Sequence, residues 1–285
     1  MIICRPFLTI LWVSRMKDKP QPGWRYYLHS LSRVFSVFFS LGRKARRTKF
    51  FFFLSFLPAA VAMIIKFNQV LSGSHALDGI YLFTNIIMLF YLQLIILILA
   101  LFYGTSVCSE EVEGRTLPYL LTRPIPKSAI VVGKYAAYTV TVIGMVSLGL
   151  LFSFAVLNID HLLDGSIYLT LFRYWGVSIL GMIAYTAFFT FFGTFLRRSI
   201  FFGLLFSFGW ENVVQYFPGS TQRFTIIHYL KSFLPASSSG GFSFLTFRLE
   251  PTKPGIALLM LFLIPTGFLA LACLVFSLKE YVVED

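Results

Sequence analysis

The chain has 285 residues, 57% of them hydrophobic and only 13% charged, where a soluble globular domain carries about 25% charged residues. That deficit excludes a soluble fold, which lacks here the polar surface it would turn to water. The net charge of +12 raises nucleic acid as a partner, but the basic residues flank apolar stretches, where they face anionic headgroups, so membrane lipid is the expected partner and nucleic acid is not.

In chain order, Phe7–Val13 is an apolar run too short to cross a bilayer. Ser14-Arg15-Met16-Lys17 follows it in place of a small-residue cleavage site, so the segment is expected to stay on the protein. Leu28, Leu31, Val34, Phe35, Phe38 and Leu41 then recur at helical spacing, with His29, Arg33, Ser36 and Ser40 on the opposite face. This pattern predicts an amphipathic helix lying in the membrane interface. Gly42 is placed to end it, before Arg43-Lys44-Ala45-Arg46-Arg47. Residues 1–49 therefore read as a cytoplasmic segment with an interfacial helix, and 50–285 as the transmembrane domain.

A helix crosses the hydrocarbon core with roughly 20 mostly apolar residues. Six stretches qualify as candidates: 50–65, 80–103, 135–157, 174–195, 200–217 and 255–278. The fifth is short and carries Glu211 and Asn212. Continuous apolar runs exclude the alternation of a membrane β-barrel, so the expected class is an all-α, six-helix membrane bundle. Lys and Arg concentrate before the first stretch, between the second and third, at Arg197-Arg198 and after the sixth. The positive-inside rule then places both termini and the second loop in the cytoplasm. Cys4, Cys108 and Cys273 match no metal spacing and suggest no disulfide.

The loop Gly104–Lys134 holds the densest signal. Glu110, Glu111 and Glu113 are followed by Gly114-Arg115-Thr116-Leu117-Pro118-Tyr119-Leu120-Leu121, then by Thr122-Arg123-Pro124-Ile125-Pro126-Lys127. This reads as a short helix pinned by a proline turn. Leu117, Leu120 and Leu121 form an apolar ridge that suits docking into a groove on another protein. The residues alone equally allow the leucines to fold back on the membrane. Between the last two stretches, Ile226, Ile227, Leu230, Phe233 and Leu234 share one side of a second short helix, and Ser237–Gly241 reads as flexible. Glu211 lies either inside the membrane, where an ionisable residue is a functional candidate, or at the outer interface beside Trp210 and Asn212. His228 reads as a residue of the polar face.

Glu113-Gly114-Arg115-Thr116-Leu117, then Leu120-Leu121-Thr122-Arg123-Pro124-Ile125-Pro126-Lys127, then Gly133-Lys134, resembles the permeases of ABC-2 type transporters. The family layout is also similar: an interfacial elbow helix, six spans and a long outer loop before the last. The resemblance implies that the loop is a coupling helix seated on a separate ATP-hydrolysing subunit. Its docking residues would be Glu110, Glu111, Glu113, Gly114, Arg115, Thr116, Leu117, Leu120, Leu121, Arg123 and Pro124. The resemblance further implies a second permease copy, identical or not, and re-entrant outer helices that gate the pathway through Glu211, Ile226, Ile227, Leu230 and Phe233. No Gly-x-x-x-x-Gly-Lys-Ser/Thr loop is present, so ATP and Mg are expected on the partner and no cofactor on this chain. The implied function is that of an exporter's permease subunit in the cell (inner) membrane, with no enzymatic activity of its own.

Three other functions compete. A lipid-linked transferase needs paired acids to hold a metal and a diphosphate. Asp160 and Asp164, with His161 between them, are the nearest pair and lack a third ligand. An intramembrane serine protease needs a facing Ser and His, and Ser72-Gly73-Ser74-His75 lies in a loop. An ion-coupled carrier usually shows inverted repeats and several buried charges, and neither is visible.

Overall fold

The computed structural model describes residues 23–72, 79–113, 125–161, 165–196, 198–214, 220–234 and 252–278. Among these residues the chain is all-helical. Five helices are long and apolar enough to cross a membrane: Arg46–Leu71, Gly79–Ser109, Lys127–Leu157, Ile167–Phe195 and Pro254–Leu278. They coincide with five of the six apolar stretches and are called here the first to fourth spans and the last span. The remaining stretch forms a shorter apolar helix over Ser199–Val214, π-helical from Leu205 to Glu211. At about 1.5 Å per residue it falls short of a core roughly 30 Å thick. The count that the described residues support is thus five spans and one shorter helix.

The helices start and stop beyond the apolar runs. The first span begins at Arg46 and is two helices, Arg46–Ser55 and Leu57–Ser72. The break at Phe56 follows from Pro58, whose ring has no N–H and clashes with the carbonyl four residues back. The second span is expected to leave the bilayer at Tyr103, but its helix continues to Glu113. Thr105, Ser106 and Ser109 donate their hydroxyls back to Leu101, Phe102 and Thr105 carbonyls at 2.7, 2.5 and 2.9 Å. These local bonds remove the cost of polar side chains in an apolar surround. The third span begins directly after Pro126, at Lys127. Most of the expected loop Gly104–Lys134 is therefore helix, and Val107 and Cys108 are core residues.

The second and fourth spans form the centre, 64% and 61% of their apolar windows being buried, against 28% for the first span and 17% for the last. Small residues set their approach. A Cβ on Gly104 would stand 2.8 Å from Phe189 Cβ, and one on Gly193 would stand 2.6 Å from the Thr105 carbonyl oxygen. Such close backbone contact is how membrane helices gain packing where lipid supplies no hydrophobic drive.

The N-terminal helix Trp24–Lys44 packs along the third span. Val34 is buried there, and a Cβ on Gly133 would lie 2.8 Å from Val34 Cγ1. Trp24, Leu28 and Leu41 stay exposed. Gly42 does not end this helix, which runs on to Lys44. It is instead a packing position, with a Cβ there lying 3.7 Å from the Tyr138 ring.

Candidate functional site

Glu110, Glu111 and Glu113 stand in the last turn of the helix Ile96–Glu113. Gly114, Arg115, Thr116, Leu117, Leu120, Leu121, Arg123 and Pro124 lie outside the described residues. Residues 114–124 thus lie between two helices in sequence, one ending at Glu113 and one starting at Lys127.

Those helices meet the N-terminal helix and the first span in one polar and aromatic cluster. Arg47 donates to Ser106 Oγ at 3.1 Å and to the Tyr138 hydroxyl at 3.3 Å. Its guanidinium also lies 5.5 Å from the Tyr103 ring centre and 5.4 Å from that of Tyr138. The Tyr103 hydroxyl donates to Thr48 Oγ1 at 2.9 Å, and Thr48 donates to the Gly42 carbonyl. Lys134 is buried, its Nζ 4.7 Å over the Phe38 ring. A weakly hydrated guanidinium stacks on rings readily, and an ammonium over a ring face gains a cation–π attraction.

Glu211 belongs to a second cluster. It stands at the end of the π-helical turns and is fully buried within the protein. Its carboxylate accepts the backbone N–H groups of Ile226 at 3.0 Å and Ile227 at 3.4 Å. These are the first residues of a short helix, Ile226–Lys231, whose free N–H groups and dipole favour a negative partner. The Tyr185 hydroxyl borders the same carboxylate. Leu230 is buried against Gly181, about halfway along the fourth span. Phe233 packs on the core from its edge, partly buried. The expected outer-gate residues Glu211, Ile226, Ile227 and Leu230 therefore come together.

His228 is not on a polar face. It is buried, with Nε2 2.8 Å from Thr252 Oγ1, because the short helix enters the bundle and leaves its polar side no water to meet. Asp160, half of the acid pair weighed for a metal, forms an ion pair with Lys66. Asp164 and Ser237–Gly241 lie outside the described residues. Among the described residues no three His, Cys, Asp or Glu side chains gather at one point.

Arg47, Tyr138 and Tyr185 carry no sequence motif of their own, and Lys134 stands in the sequence only as the end of the Gly133-Lys134 pattern. Arg47 reads in sequence as one more cation in a basic run. The available signal was Lys134, a lysine inside a helical register whose neighbours, Gly133 and Ala137, face the core.

No curated protein matches the chain. The family model for ABC-2 family transporter proteins matches residues 43–210, more than half of the chain. The match runs from the end of the N-terminal helix through the first four spans, the first three of which build the Arg47 cluster, and stops one residue short of Glu211. With five apolar helices long enough to cross a membrane, the chain is a multi-pass membrane component of a transport system and belongs to the ABC-2 transporter family.

Proposed function

We propose that the chain is the permease subunit of an ATP-driven exporter, with ATP and Mg bound and hydrolysed on a separate subunit. The carrying observation is the Glu113-Gly114-Arg115-Thr116-Leu117 segment, at the junction of the second and third spans, in a chain of this family. An apolar ridge flanked by charge is suited to a groove on a partner. The basic residues around the N-terminal helix support a cytoplasmic position for that end. Two permeases and two ATPases would complete the path, since five or six helices enclose little space of their own. On this reading the Ile226–Lys231 helix, seated on the fourth span and held by Glu211, closes the outer mouth. Nucleotide-driven closure of the ATPases would move the docking segment and tilt the spans as near-rigid bodies.

The test is co-expression with candidate ATP-binding cassette subunits of the same cell and purification of the complex in nanodiscs. Glu113→Ala and Leu117→Ala are expected to abolish permease-stimulated ATP hydrolysis while the permease still inserts. Normal stimulation in both variants would refute the docking role.

A further inference from the structure

The cluster at the ends of the first three spans carries an inference that rests on the docking role and goes beyond it. Arg47 stands at the start of the first span, one residue after Arg46. The two hydroxyls it holds belong to different helices. Ser106 is on the helix that runs into the docking segment at Glu113, and Tyr138 is on the helix that leaves it at Lys127. Ser106 stands two turns before the end of that helix at Glu113. Next to Arg47, Thr48 links Tyr103 of the second span to the Gly42 carbonyl of the N-terminal helix. On the other side of Tyr138, Lys134 lies over Phe38, and Gly133 lies against Val34. Four segments thus share one joint, and the guanidinium is at its middle.

The chemistry of that group matters. A planar guanidinium offers separate donors at fixed angles and can hold two acceptors at a set spacing while its faces rest on rings. An ammonium is a point charge and fixes neither the spacing nor the plane. We infer that Arg47 is a positioning residue that locks both helices flanking residues 114–124 to the N-terminal helix and the first span. A displacement of the docking segment then moves all four together, and without Arg47 the segment moves alone.

The experiment uses the whole permease–ATPase complex in nanodiscs. Nitroxide labels at Ser36 of the N-terminal helix and Thr266 of the last span, both solvent- or lipid-exposed, report their separation with and without ATP. In R47A the ATPase is expected to co-purify as with wild type. The ATP-dependent distance change is expected to vanish, and permease-stimulated hydrolysis to fall about tenfold. Y138F and S106A each remove one of the two bonds and are expected to lose about two- to threefold. R47K is expected to fall between these and R47A. A purely structural role would lower thermal stability and leave the ATP-dependent change intact in the complexes that survive.

An unchanged distance response and unchanged hydrolysis in R47A overturn the inference. If R47A is not recovered as a folded complex, R47K and Y138F decide it, and an unaltered response in both overturns it. Failure of the underlying docking role looks different. No ATPase would co-purify with the wild-type chain, or Leu117→Ala would hydrolyse at the full stimulated rate. Either result removes this inference together with the docking role.

Discussion

Where the N-terminal helix packs on the bundle, the charges drawn inward are cations, held by rings and hydroxyls: Arg47 on Tyr103, Tyr138 and Ser106, and Lys134 over Phe38. Beside the fourth span a buried carboxylate is held by backbone, with Glu211 on the N–H groups of Ile226 and Ile227 and the buried Lys231 in electrostatic reach. Cation–ring attraction is broad in angle and weakens gradually with displacement. Charge-assisted hydrogen bonds to backbone N–H groups are short and directional. In the first arrangement the ring contacts tolerate small displacements while the two directed Arg47 donors keep the helices at a set spacing. The second fixes the start of one short helix at one point.

The largest effect that sharpens this contrast is expected at Glu211. Glu211→Ala leaves two buried N–H groups without an acceptor, at about 1–3 kcal/mol each, and removes the negative partner at the helix start. The Ile226–Lys231 helix is expected to leave its seat by local opening while the five spans stay folded. A cysteine placed at Leu230, unreactive in the parent, would then react with a water-soluble maleimide. Glu211→Gln keeps one oxygen acceptor and is expected to lose roughly half as much. If Leu230 stays protected in Glu211→Ala, backbone capture by the carboxylate does not hold the helix.

The spans were legible because a run of apolar residues long enough to cross a bilayer has few other uses. Their ends were not. The extension of the second span to Glu113 depends on Thr105, Ser106 and Ser109 bonding back to their own helix, and hydropathy counts those residues as polar. The short fifth helix was marked by its length and by Glu211, but the partner of that carboxylate is the backbone 15 and 16 residues on, and backbone groups leave no trace in residue type. His228 was misplaced for the same reason, since its burial follows from where the short helix seats. Arg47 was hidden more completely. It looks like its basic neighbours Arg43, Lys44 and Arg46, and its hydroxyl partners lie 59 and 91 residues away. The Glu113–Leu117 pattern was legible only by likeness to a family, because its chemistry belongs to a contact with another chain.

The contrast is expected to show next at Lys134, with a smaller effect. Lys134→Met keeps the unbranched chain against Phe38 and Tyr138 and removes the ammonium from a buried site. The lost cation–π attraction is about 0.5–2 kcal/mol, and the desolvation of a buried charge is relieved at the same time. The two oppose, so the midpoint of thermal unfolding in detergent is expected to shift by the equivalent of about 1 kcal/mol or less. A loss as large as that of Glu211→Ala would mean that the ring contact is not the main contribution of Lys134, and the proposed difference between the two regions would not stand.

The smallest effect is expected at the far end of the first and third spans, where Lys66 pairs with Asp160. This pair has the same chemistry as a buried ion pair in a different solvent. The Asp160 side chain is 59% exposed and that of Lys66 19%. An exposed pair trades its attraction against hydration and the entropy of two mobile side chains, and its net contribution is about 0–1 kcal/mol. Lys66→Ala is therefore expected to change stability by about 0.5 kcal/mol or less, and by still less at high salt, where exposed charges are screened. Thermal unfolding of the variant at low and high ionic strength measures both. If Lys66→Ala cost as much as Glu211→Ala and the cost persisted in high salt, burial would not be what separates a structural charge from an incidental one here. The contrast between rings and backbone would then need a different cause.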